Sequence, residues 1–437
     1  MNNLRKLLWI YLVLLIFEGA LRKWVLPMLD APLLIIRDPL VIWIYLQALR
    51  YRLSFHNGFF APNLALAVST AIISVLFGLG NVIVTLYGVR TDYLQVPLIF
   101  LIPQILNRDD VIAMGRFLLY VSIPFAFLVV LQFRSPVESI WNKGALTTHF
   151  NTVRPSGTFS FVTGLVSFFA LTSAFLFYGY LQARTYKIWL LAAVTFVTLV
   201  AAFCTGSRSC IVSIGLVAVV AILCVVMRGK GGVGIMVAAV LIALAIPVLS
   251  SMAVFQEGSE QMALRFAEAA ATNGEDTQGF IARFAGTMLG PLADMGDVPI
   301  FGNGLGLGTN AAAGLLRGDR EFIGPENEWG RLIWESGPIF GLLLCIFRIA
   351  LTVAVARRAY EAFRRDNILP VLIFTATGLM LLNGQWGVPT TLGFAIFGAG
   401  LTLAACEAPE EEEHEDEEHH DHAEDESDHS HAAETLD

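Results

Sequence analysis

The sequence predicts an all-α polytopic membrane protein. Hydrophobic residues make up 56% of its 437 residues and charged residues only 15%, and the mean hydropathy is +0.65. These values lie outside the range of soluble globular domains. Apolar runs long enough to cross a bilayer core of about 30 Å recur along the chain. Lys and Arg are distributed unevenly between alternate connections, as membrane insertion requires.

The apolar runs centre near residues 7–20, 33–48, 62–84, 93–106, 117–133, 158–180, 188–204, 210–227, 232–250, 337–356, 369–382 and 388–405, about twelve in all. The first has a cationic start at Arg5 and Lys6, like a signal peptide. It lacks a small-residue cleavage site and runs into Glu18, Arg22 and Lys23, so it is expected to stay. With the N-terminus inside, the inner connections hold fourteen cations: Arg5, Lys6, Arg50, Arg52, Arg108, Arg116, Arg184, Lys187, Arg228, Lys230, Arg357, Arg358, Arg364 and Arg365. The short outer ones hold seven: Arg22, Lys23, Arg90, Arg134, Lys143, Arg154 and Arg208. Both termini are therefore expected in the cytoplasm.

Between these helices lie two long outer connections, 134–157 and 251–336. The second, about 85 residues between the ninth and tenth helices, is too long to be a mere connection. It is expected to be a soluble outer loop that begins with the amphipathic stretch "SEQMALRFAEAA" and carries the chemistry. The division is thus 1–250 (helices one to nine), 251–336 (large outer loop), 337–406 (helices ten to twelve) and 407–437 (tail). The tail is a separate object: residues 411–437 carry fourteen Asp or Glu and no Lys or Arg, leaving the rest of the chain at +5. It cannot bury a core and is expected to be disordered. Its six His among carboxylates leave weak divalent-metal binding as the alternative to a solvated tail.

Five cysteines (204, 210, 224, 345, 406) sit in or beside apolar runs without metal-ligand spacing and read as small apolar packers. A disulfide between Cys204 and Cys210 is the alternative for that pair. The run "GNGLGLG" has the spaced glycines of a nucleotide loop. It follows no buried strand and lacks the Lys-Ser/Thr of a phosphate-binding loop, so its glycines are read as turns or close backbone approaches.

The stretches "RPSGTF" (154–159), "TGSR" (205–208), "PIFGNGLG" (299–306) and "ENEWGRLIWESG" (326–337) stand in the order and places seen in one family. On these the chain resembles the O-antigen ligase and O-antigen polymerase superfamily, and "FEGALRKWVLP" (18–27) is similar to its exopolysaccharide-polymerase branch. The resemblance spans nearly all of residues 1–405. No single motif is highly specific; their order, with the helix count and one large outer loop, is more so.

The resemblance implies a glycosyltransferase on the outer, periplasmic face of a bacterial inner membrane. Such proteins move a glycan from an undecaprenyl-pyrophosphate carrier to an acceptor sugar, alongside flippase and chain-length-regulator proteins. It implies donor contacts from Arg208, Arg154 and Arg283, with Arg208 also catalytic. Arginine suits the task because its planar fork pairs phosphate oxygens at two points and stays charged. Where many ligases have His-Asn followed by Glu-x-Gly, this chain has Glu326-Asn327, then Glu335 and Gly337 in the same spacing. Glu326 thus stands where a base is expected, and Asn327, Arg331 and Glu335 where substrate contacts are expected.

Each residue also has a plainer reading. Arg208, Arg154 and Arg283 can snorkel to headgroups. Arg331 can pair with Glu335 at i, i+4, and Glu326 can cap the returning helix. Arg348, inside an apolar helix, must face the bundle interior. His149 is the only outward histidine of the body and reads as a solvated loop residue. The outer loops show no metal cluster or DxD-type acidic pair, so no metal is expected; nor is a cofactor or nucleic acid.

Polymerase is the first expectation, ligase the alternative, and a transporter the competing class. Twelve helices also suit carriers built from two repeats of six. The connection near 181–187 is short and no internal repeat is visible.

Overall fold

In the computed structural model the described residues are 1–29, 33–78, 81–143, 146–147, 153–273, 277–316 and 323–407. The helices are α1 (Asn2–Ala20), α2 (Arg37–Arg50), α3 (Phe60–Phe77), α4 (Val82–Val89), α5 (Leu98–Leu101), α6 (Arg108–Arg134), α7 (Val162–Leu181) and α8 (Ile188–Cys204). They continue with α9 (Arg208–Arg228), α10 (Gly232–Ser251), α11 (Ala253–Asn273), α12 (Thr277–Ala293), α13 (Asn310–Leu316), α14 (Glu328–Arg364), α15 (Leu369–Asn383) and α16 (Pro389–Ala404). The described β structure is one two-residue pairing, β1 (Leu146–Thr147) with β2 (Val153–Arg154).

Among the described residues six helices (α3, α6, α7, α9, α10 and α14) are long and apolar enough to cross a membrane, and α8, α15 and α16 are shorter apolar helices. The expected twelve spans are not all of these kinds: the runs at 7–20 and 33–48 fold as α1 and α2, which belong to neither set, and the run 93–106 forms no single helix. Residues 90–106 fold as a π-helical turn (Arg90–Leu94), the four-residue α5 and a 3-10 turn (Ile102–Gln104). Pro97 and Pro103 interrupt the run, because proline removes a donor and clashes with the preceding turn. Its apolar side chains are buried against protein: Leu98, Ile99, Leu101 and Ile102 are sealed. The expected run 62–84 also divides, and Asn81 starts α4 by accepting from the backbone N–H groups of Ile83 and Val84.

The core centres on α7 and α16, which are buried nearly all round. Both are rich in Gly, Ala, Ser and Thr, which let backbones and rings approach closely. A Cβ on Gly398 would meet Thr377 at 2.4 Å, and one on Gly164 would meet the Phe159 ring at 2.7 Å. Phe168 stacks on Phe125 with centroids 4.6 Å apart. By contrast α9 and α10 expose Val219, Leu223, Val226, Met236 and Leu244, as lipid-facing helices do.

The chain after α10 lies against the bundle. Phe255 on α11 meets Phe203 at the end of α8 with centroids 4.8 Å apart. Glu257 pairs with Arg134 at 3.0 Å. Tail residues 408–437 lie outside the described residues.

Candidate functional site

Two groups of charged side chains dominate the described structure. The first gathers where "FEGALRK" meets "RPSGTFS". Gly19 lets α1 press on the loop, since a Cβ there would sit 2.2 Å from the Thr158 carbonyl oxygen. The Thr158 hydroxyl donates to the Ile16 carbonyl at 2.5 Å. Beyond α1 the backbone widens into a π-helical turn, Leu21–Val25, a geometry frequent at functional sites. From it Arg22 donates to Ser160 Oγ at 3.0 Å and Lys23 to Ser156 Oγ at 2.7 Å. Gln132 clamps the same loop, accepting from the Gly157 N–H at 2.8 Å and donating back to its carbonyl at 3.0 Å.

Arg154, on β2, is half-buried, and its Nε is sealed with no hydrogen-bond partner among the described residues. Its pKa lies below the usual arginine value, first because burial disfavours the charge and then because Arg265 and Arg208 bring positive charge near it. Burial, then Arg22, pushes the Lys23 amine from 10.5 down to about 8. Arg208 is the first residue of α9, so its guanidinium stands beside the positive end of that helix. Three separate stretches thus bring cations together at Arg154, namely β2, the start of α9 and α11, while Arg22 and Lys23 beyond α1 hold the loop that follows β2.

The second group is buried and paired. Arg331 donates to Asp92 at 2.6 Å, to Glu328 at 2.9 and 3.0 Å, and to Glu335 at 3.0 Å. Arg348 donates to Glu328 at 2.6 Å and lies 4.0 Å over the Trp386 ring. Nearby in the chain, Arg37 pairs with Glu18 at 2.6 Å and Arg90 with Asp38 at 2.5 Å. Arg90 and Asp92 share the second π-helical turn, linking the two sets of pairs.

Glu335 also receives the glycine run. Its two carboxylate oxygens accept from the N–H groups of Gly306 and Gly308, both at 2.8 Å. Gly302 and Gly306 have φ of +72° and +85°, a region costly for other residues. A Cβ on Gly302 would meet the Glu335 carbonyl oxygen at 2.2 Å. This run therefore turns sharply, as expected, and its close backbone approach, expected toward a ligand, is made to Glu335 of its own chain. At Gly337, φ +80°, the helix breaks and restarts at Pro338.

The residues named from sequence divide between these groups. Arg154 and Arg208 come together, joined by Arg265. Arg331 and Glu335 come together in the buried pairs, 3% and 1% exposed, so the pairing at i, i+4 is present. Asn327 is the cap of α14, accepting from the Gly330 N–H at 2.6 Å, the role considered for Glu326. Glu326 is exposed, and its carbonyl accepts from Gln385. Arg348 faces the interior, as its position required. The Arg283 side chain and His149 lie outside the described residues. All five cysteines are free, four of them buried.

Sequence reasoning passed over Arg265, Lys23, Asp92 and Glu328 as site residues. Asp92 offered a signal, a carboxylate at the edge of an apolar run, which is costly unless paired; Glu328 stands in the polar stretch "PENEWGR" and offered none. Arg265 and Lys23 carry no local signal, because their neighbours come from distant parts of the chain.

Compared with known proteins, the chain matches no family model, no curated protein and no solved structure.

Proposed function

We propose that this chain is a membrane glycosyltransferase that polymerises undecaprenyl-pyrophosphate-linked oligosaccharide repeat units at the periplasmic face of a bacterial inner membrane. The observation that carries the reading is the meeting of Arg154, Arg208 and Arg265, where the charges bearing on Arg154 are both positive. Positive charges gathered at one place attract an anion. A pyrophosphate at the membrane surface is an anion of suitable charge and geometry for arginine forks.

In this reading the acceptor hydroxyl oxygen attacks the anomeric carbon of the donor. The carbon–oxygen bond to pyrophosphate breaks, and the leaving group departs with the bonding electrons, held by the guanidiniums. The hydroxyl proton passes to a carboxylate, for which exposed Glu326 is the candidate. Direct attack inverts the anomeric configuration. Arg331 and Glu335 serve by holding the glycine run, and Asn327 by starting α14.

The test is the lipid-linked species that accumulates when the protein is removed. Single repeat units are expected. Accumulated polymer would identify a ligase, which uses the same donor with another acceptor. Purified protein should turn over lipid-linked oligosaccharide without an ion gradient; a strict requirement for a gradient would favour transport. Glu326→Gln tests the base separately, since losing a general base costs about 10²- to 10⁴-fold.

A further inference from the structure

A cavity of about 470 Å³ opens among the ends of α6, α7, α9, α14, α15 and α16. It lies at the other end of α9 from Arg208: the helix carries Arg208 first and Arg228 last, and 21 residues span about 30 Å. Arg108, Arg228, Lys230 and Arg365 line it, against the two carboxylates of Asp366 and Glu407. Asp366 is engaged by Arg228 and by Lys230, the latter at 3.2 Å. Arg108 Nε is buried without a hydrogen-bond partner among the described residues. The four lining cations thus exceed the two lining carboxylates by two charges.

Glu407 is both a lining residue and the last described residue of the chain. Thirty more residues follow from the lip of the cavity, and 411–437 hold fourteen carboxylates without a Lys or Arg. We infer that the acidic segment 408–437 is the occupant of this cavity, binding its basic wall as a tethered polyanion. Charge complementarity supplies the attraction. Attachment at Glu407 supplies the concentration, which for a short flexible link is on the order of millimolar. The competing occupant is an anionic lipid headgroup, since basic pockets at helix ends bind such groups.

The experiment uses the full chain in discs of zwitterionic lipid. Gln182 lines the cavity and is exposed, so Gln182→Cys places a reactive thiol on its wall. Its labelling by a bulky neutral maleimide is followed by peptide mass spectrometry, which separates it from the native cysteines. Labelling should be slow in the full chain. It should rise several-fold on truncation after Glu407, and equally when every Asp and Glu of 411–437 becomes Asn or Gln. Salt near 1 M, where the Debye length is about 3 Å, should give the same rise. Equal rates with and without the tail overturn the inference. Protection by the neutral tail overturns it too, because bulk then does what charge was assigned. Protection that appears only with added anionic lipid, independent of the tail, assigns the cavity to lipid instead.

Discussion

Arg331 and Arg154 are both arginines in a chain that is mostly apolar, and their surroundings differ. Arg331 is sealed among Asp92, Glu328 and Glu335. Arg154 is half-buried, and the charges bearing on it are those of Arg265 and Arg208. Removing an arginine from water is costly in both places. At Arg331 the cost is offset inside the molecule, so the network needs nothing from outside and its result is a fixed shape. Among the described residues the charges that bear on Arg154 are positive, so the patch is placed to attract an anion. A charged group that completes its own pairs builds the scaffold; one gathered with like charges presents a positive face.

The largest expected effect tests the scaffold side. Arg331→Met leaves Asp92, Glu328 and Glu335 without their shared partner, which should cost about 3–5 kcal/mol and deplete folded protein from the membrane. Thermal unfolding in detergent, read beside turnover per folded molecule, checks it. A variant that folds at wild-type level and fails only in turnover would reverse the two roles.

Next is the patch itself. Arg208→Ala should fold normally and lose about 10- to 150-fold in rate, the equivalent of a charge-assisted contact of roughly 1.5–3 kcal/mol acting in the transition state. Arg208→Lys should recover part of this, because an ammonium keeps the charge and loses the fork. If lysine substitutes fully, the residue is anchoring the helix in headgroups. Wild-type rates for Arg208→Ala would remove it from the site.

A smaller effect follows from Lys23. Its amine titrates near 8 where an ordinary lysine titrates at 10.5, so it is a cation below about pH 8 and neutral above. If its charge helps hold the donor, kcat/KM, which reports the free protein, should fall as pH rises through 8, approaching tenfold per unit. Lys23→Arg should move that fall to higher pH. An identical profile in both would leave Lys23 as a tie between α1 and the 156–160 loop.

The smallest effect concerns the turn that carries Arg208. Cys204 and Cys210 flank it as free, buried thiols, so no disulfide braces the turn. Reductant should therefore leave the melting temperature unchanged and thiol counting should find both reduced. A shift would mean the turn is covalently braced, as rigid as the ion pairs around Arg331.

Parts of this arrangement were legible in the sequence. The run 188–204 gives α8 over the same residues, because its apolar stretch is bounded by polar turns and nothing interrupts it. Arg348 could be assigned to the interior, because a cation in an apolar helix has no tolerable alternative. The run 93–106 misled for a related reason: apolar sequence reports exclusion from water, and protein excludes water as lipid does. The prolines at 97 and 103 were the available warning. For the site, "RPSGTF" and "TGSR" led to Arg154 and Arg208, while Arg265 stayed inside a stretch read only as amphipathic.

By itself the sequence determined that the chain is helical, that its apolar helices suit a membrane, and that its charges outside the tail are few. These follow from composition and from the local spacing of apolar residues, which physics reads without knowing the fold. Only the tertiary structure decided that α7 and α16 stand at the centre while α9 and α10 face outward, although all four are apolar throughout. It also decided which arginines found carboxylates. Asp92 and Arg331 are 239 residues apart in the chain, and Lys23 and Ser156 are 133 apart. Burial and pairing are relations between distant segments, and no local pattern of residues contains them.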